Sequence, residues 1–234
     1  MKEEKVLCGL FCFTVILSMA IAPLSTVVRA SSAVGVPSQR DSGLYTVGNG
    51  SPGVLLMGSW NLISLPVMPF DNSIESVLAA MNRSDQLKSV WYFDQCEDPA
   101  PDLGKWHVYD ATTGAGNLDT MEPGKAYWLL MLSPGDAGYD ASAFPVSLWV
   151  FGTQGPMPPD LPSFYDVCEG WNMVGFRSMQ QMDPKDYLGA FDPSEYGAIY
   201  GWDSYLQDWI ANPAKLVPGF GYWIPFSAAG TIYP

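Results

Sequence analysis

The sequence predicts a mainly β (α+β) protein: two homologous small antiparallel β domains, each with one short helix, behind an N-terminal signal peptide. Three observations carry this reading. The first is a pair of stretches, residues 121–132 (MEPGKAYWLLML) and 216–226 (LVPGFGYWIPF), which share a Pro-Gly step and a Tyr-Trp pair followed by apolar residues. The second is a matched pair upstream of each, Trp60-Asn61-Leu62-Ile63 and Trp171-Asn172-Met173-Val174. Two motifs recurring in the same order read as an internal duplication. The third is composition: 23 glycines and 20 prolines call for many turns. Helical patterns are short, so the 9 Trp, 12 Tyr and 11 Phe become core material for a β-rich fold.

Along the chain, residues 1–30 form the signal peptide. Lys2 and Lys5 precede an apolar run over 6–22, and Val28-Arg29-Ala30 supplies small residues for cleavage. An uncleaved anchor is the alternative, since such a run approaches spanning length. Cys8 and Cys12 fall inside this run, and Cys8 lacks the residues that a lipoprotein signal places before it. Residues 31–52, rich in Ser, Gly and Pro, are a flexible lead. Repeat domain 1 follows over 53–154, then a Pro-rich linker over 155–163, then repeat domain 2 over 164–234.

Within the first repeat, apolar residues on both sides of Gly58-Ser59 predict two strands or one bent strand. In the second part, Trp60 and Leu62 face one way, and Ile63, Leu65 and Val67 the other. Two apolar faces predict a strand central to its domain. A short helix comes next, capped by Asn72 or Ser73 with Glu75 returning the bond, and with Ile74, Val77, Leu78 and Met81 as its apolar stripe. Its counterpart has Asp183 as cap, Pro184 in the first helical position, and Tyr187, Leu188 and Phe191 inward. Residues 90–94 and 106–109 predict a hairpin, matched by 199–203 and 209–210, and the Pro-Gly turn and Tyr-Trp strand follow. Spacing between equivalent positions shortens from Trp60/Trp171 through Trp91/Tyr200 to Trp128/Trp223, and the shortening falls in loops, where length changes are tolerated. Repeat one closes with residues 146–151. Repeat two has only Thr231-Ile232-Tyr233, so its last strand is expected to be short or supplied by a partner.

The order Gly58-Ser59-Trp60-Asn61-Leu62-Ile63-Ser64-Leu65-Pro66, short helix, aromatic hairpin, Pro123-Gly124-Lys125-Ala126-Tyr127-Trp128 and closing strand resembles a duplicated GWNLISLP…PGKGYW-type repeat module of bacterial and archaeal secreted and cell-surface proteins. The resemblance covers residues 54–152 and 164–234. It implies a location beside other extracellular β domains and brings no catalytic residues with it. The chain departs from the pattern in three places: Ser59 is an extra residue before Trp60, residues 177–181 lack the proline of Leu65-Pro66, and the second copy ends early.

Pro123-Gly124 and Pro218-Gly219 fit type II turns, because proline presets φ and glycine accepts φ > 0. Lys125 could face a ligand, but Phe220 replaces it in the second copy. Trp60, Trp128, Trp171 and Trp223 are expected to anchor cores, together with Tyr127 and Tyr222 of the same motifs. Asn61 and Asn172 are expected to satisfy backbone groups where their strands begin. Trp91, Trp106, Trp202 and Trp209, on the hairpins, are the candidates for stacking a sugar. Cys96 and Cys168 can form a disulfide in an exported protein, or remain two idle thiols.

No catalytic residues are assigned. The single histidine, His107, has neither a nucleophile motif nor a repeat counterpart. No zinc-type spacing or Asp-x-Asp-x-Asp-Gly loop occurs, so no metal and no cofactor is expected, with a loose calcium site in residues 95–105 as the alternative. A glycosidase-type carboxylate pair would have to be assembled in space. Asn82-Arg83-Ser84 is a sequon.

The net charge of −13 disfavours nucleic acid and anionic membrane as partners. The expected function is therefore a non-enzymatic module, secreted or on the cell surface, for adhesion, assembly or display. It would have a cell-surface protein or a glycan as partner, and no membrane span once the signal is removed. A carbohydrate-binding module is the second reading, and a secreted hydrolase the third.

Overall fold

The computed structural model describes residues 44–46, 52–97, 105–153 and 164–233. All belong to one compact unit, Arg40–Pro234. The expected signal peptide and linker, and most of the expected lead, lie outside the described residues. The fold is mainly β, with several antiparallel sheets and a few short helices.

The first half contains β1 (Leu44–Thr46), β2 (Pro52–Leu56), β3 (Trp60–Ser64), β4 (Met68–Pro69), α1 (Ile74–Leu78), β5 (Leu87–Asp94), β6 (Lys105–Asp110), β7 (Ala115–Gly116), β8 (Ala126–Met131), β9 (Val146–Trp149) and β10 (Gly152–Thr153). The second half contains β11 (Tyr165–Val167), β12 (Gly170–Gly175), α2 (Pro184–Tyr187), β13 (Tyr200–Asp203), β14 (Asp208–Ala211), β15 (Gly221–Phe226) and β16 (Gly230–Ile232). Part of the expected lead is thus a strand: β1 pairs antiparallel with β2. The main sheets run β3-β8-β5-β6-β7 and β12-β15-β13-β14, so the strands carrying the matched motifs occupy matched places. Likewise β2 pairs with β9 as β11 pairs with β16. The short last strand is filled by the chain itself.

Strict alternation sorts the side chains of each sheet. Along β8, Tyr127, Leu129 and Met131 join the first core with Ile63, Leu65 and Leu148. Along β15, Tyr222, Ile224 and Phe226 join the second with Phe176 and Leu188. The residues between them, Ala126, Trp128 and Trp223, point the opposite way into a third cluster drawn from both halves. This corrects one expectation. β3 is buried on both faces yet lies at the end of its sheet, because the other half covers what would be an exposed face and edge.

The break between β2 and β3 falls at Gly58-Ser59, and Ser59 adopts φ 75°. The corresponding place is Gly170, the first residue of β12, with φ 103°. Ser59 is therefore no insertion but a non-glycine residue where the backbone wants glycine. Asn61 closes this corner: its Oδ1 accepts from Met57 N at 2.7 Å, and its Nδ2 donates to Met57 O at 2.8 Å and Ser59 O at 3.1 Å. Asn172 does the same with Cys168 N, Cys168 O and Gly170 O at 3.0, 2.7 and 2.9 Å.

The helix caps differ from expectation. Neither Ser73 nor Asp183 makes a side-chain cap bond. Asp71 braces the approach to the first helix without capping it, accepting from Ser73 N at 2.9 Å and Ser76 Oγ at 2.7 Å, while Asn72 reaches Glu122. In the second half Asp183 pairs with Lys215, and Pro184 opens the helix as expected.

Three buried tyrosines tie turns to strands. Tyr127 OH accepts from Glu122 N, Tyr222 OH from Val217 N, and Tyr187 OH accepts from Arg177 N while donating to Gly175 O. Burial pushes all three phenols above their ordinary range. The unfolded chain ionises near pH ~10 while the folded chain resists. Stability is therefore fully present below that pH and falls as pH rises above it. A series of urea midpoints from neutral to strongly alkaline pH should decline only beyond this point, with tyrosinate absorbance at these sites rising together with unfolding. Ionisation of all tyrosines ahead of unfolding would contradict the burial.

Candidate functional site

The two halves meet along a seam built by the matched motifs. Ser64 N donates to Gly219 O at 3.0 Å, and Gly175 N donates to Gly124 O at 2.8 Å. Bridges Ile63↔Phe220 and Lys125↔Val174 extend the same exchange. Each Pro-Gly turn therefore caps the edge strand of the opposite half, with Gly124 at φ 86° and Gly219 at φ 82°, the sign a type II turn requires. The arrangement is reciprocal: equivalent atoms of the two halves swap roles, as at a two-fold interface. Lys125, considered for a ligand, and Phe220 both lie in this exchange.

Hairpin glutamines add a second clasp. Gln207 accepts from Trp60 N and donates to Trp60 O at the start of β3. Gln95 donates to Glu169 O just before β12. Cys96 and Cys168 are joined by a disulfide, with Cα atoms 5.3 Å apart, so a covalent link crosses the same seam.

The tryptophans fill the space between the sheets. Trp128 packs edge-on against Trp202 at 5.3 Å and Trp209 at 5.7 Å, both from the second half. Trp223 answers with Phe93 at 5.6 Å and Trp106 at 6.2 Å, both from the first. Trp60 lies against Trp128, and Trp171 against Trp223. The four sugar-stacking candidates therefore sit at this seam, half-buried, with Trp91 and Trp106 in mutual edge contact and Trp202 against Trp209. Two indole N–H groups are committed as well: Trp91 Nε1 donates to Ser89 Oγ, and Trp202 Nε1 to Trp60 O. The strongly exposed apolar side chains among the described residues include Phe70, Phe164, Tyr205 and Leu206 rather than these tryptophans.

One open groove of about 300 Å³ flanks the seam, lined by Tyr92, Asp94, Glu122, Lys125 and Tyr165 among others. Lys125 pairs with Glu122 at 3.2 Å and lies over the Tyr92 ring at 5.1 Å. Burial, then the nearby carboxylates of Asp94, Glu122 and Glu97, push the Tyr92 phenol up. Tyr165 packs so closely over Gly124 that a Cβ there would meet its ring.

Beside the groove, Asp94, Glu97 and His107 bring their donor atoms within 4.8 Å of one another, all half-buried. Glu97 and His107 are ten positions apart, at no spacing that a metal motif uses, so the set does not show as a sequence pattern. Hairpin pairing could have found it: Tyr92 stands opposite His107, which places Asp94 diagonally beside the imidazole on the same face. Comparison with protein-family models, with curated proteins and with solved structures gives no match.

Proposed function

We propose that the chain is an exported, non-enzymatic module, secreted or held at the cell surface, that serves adhesion, assembly or display through a duplicated β unit. One observation carries this reading: the repeated motif residues are spent on holding the two halves to each other. Pro-Gly turns, glutamines, indoles and a disulfide all cross the seam, giving a rigid, cross-linked body suited to bearing contacts outside the cell. The resemblance to secreted repeat modules points the same way. No helix among the described residues is long and apolar enough to cross a membrane.

In this reading Trp91, Trp106, Trp202 and Trp209 supply cohesion rather than a sugar platform. Fractionation of the source cells, with the chain recovered outside the cytoplasm, tests export. A broad hydrolase panel tests the absence of catalysis, and robust turnover abolished by a single carboxylate substitution would overturn the reading. Glycan-array binding that disappears in Trp106→Ala or Trp209→Ala variants that remain folded would instead support the carbohydrate-binding function.

A further inference from the structure

We propose that Asp94, Glu97 and His107 form a site for one divalent transition-metal ion of the zinc class. The proposal goes beyond the structural role argued above and rests on different residues.

The imidazole's surroundings carry the argument. His107 Nδ1 lies 3.1 Å from Asn117 O. A carbonyl only accepts, so Nδ1 bears the hydrogen, and the ring in its neutral form presents the Nε2 lone pair on its other side. That lone pair faces Glu97 Oε2 at 2.7 Å. Two acceptors so close require a positive centre. A proton on the ring supplies one, and a divalent ion bound by both atoms supplies another. The carbonyl behind the ring is the outer-sphere partner that metal-bound imidazoles regularly have, fixing the tautomer and aiming the free nitrogen.

Asp94 completes the set. Its Oδ1 accepts from Cys96 N and Glu97 N, which turns the chain sharply and brings Glu97 back toward the hairpin. The loop is held from outside the set by the Cys96–Cys168 disulfide and by the Gln95–Glu169 bond. The donors are therefore largely positioned before any ion arrives. Tetrahedral ligands about 2.1 Å from an ion lie about 3.4 Å from one another, so side-chain rotation has to open the His107–Glu97 pair from 2.7 Å and bring Asp94 to the same spacing. One imidazole and two carboxylates match Zn²⁺ and its neighbours better than Ca²⁺, which prefers six or more oxygens. A tetrahedral ion keeps its fourth position for water or for a donor atom of a partner. The second half has Asp203 opposite Asp94 but Ile210 in place of His107, so the chain offers this set once.

The test is calorimetric titration of Zn²⁺ into the full chain, purified without a histidine tag, with Co²⁺ absorption reporting coordination. The expected result is one ion per chain, a visible Co²⁺ band, and affinity at least about 10-fold weaker in His107→Ala and in Glu97→Gln. Circular dichroism of the metal-free variants confirms that they fold, and Asp94→Asn provides an independent third arm. No binding of Zn²⁺, or equal binding by His107→Ala, overturns the proposal and leaves His107 and Glu97 as a hydrogen-bonded pair.

Discussion

Replacing Trp223 by alanine is expected to destabilise the protein by about 3–5 kcal/mol, the range for removing a large buried aromatic ring. Trp223 is 4 % exposed and contacts Phe93, Trp106 and Trp171, so its loss opens a cavity between sheets that cannot collapse independently. Trp128→Ala should cost a similar amount, since Trp128 meets Trp202, Trp209 and Trp60 in the mirrored arrangement. Trp223→Phe should cost only about 1–2 kcal/mol. It keeps a ring in place and removes an indole N–H that is buried without a hydrogen-bond partner. Urea midpoints of the three variants decide the matter. A loss below about 1 kcal/mol for both alanine variants, against the value expected for core aromatics, would mean that the rings are not the cement.

Breaking the disulfide is the second large effect. Cys96 and Cys168 are 72 positions apart, and closing a loop of that size is worth about 4 kcal/mol in the chain-entropy description. Cys96→Ser combined with Cys168→Ser should lower the melting temperature by roughly 10 °C for a chain of this size. Calorimetry of the double variant, compared with the oxidised wild type, measures it. The seam's hydrogen bonds and aromatic contacts do not depend on the sulfur atoms, so the variant should still fold. An unchanged melting temperature would show that the unfolded chain gains nothing from the cut.

The matched motifs made the β class, the hairpins and the two helix positions legible, because alternation and turn chemistry are local properties. Asn61 and Asn172 were readable for the same reason: each bonds to backbone within four positions of itself. What lay opposite each face was not readable. A strand with two apolar faces, such as β3, tells that both are covered but not by what, and here one cover is the other half. The hairpin tryptophans looked available for a ligand because sequence gives no account of a twofold seam. The expected side-chain cap of the first helix is absent, and Asp71 instead holds the N-cap residue's own N–H, because several neighbouring residues carry equivalent acceptors. Asp94, Glu97 and His107 became visible only with the strand register that sets them together.

The disulfide also governs how this protein would answer a pull on its two ends. Tension entering before Cys96 passes through sulfur to Cys168 and skips everything between. With 72 positions between the bonded residues and about 3.4 Å of contour for each, roughly 240 Å of chain stays slack until a reductant releases it. The segments outside the loop still extend under load, but this withheld length answers to chemistry rather than to force.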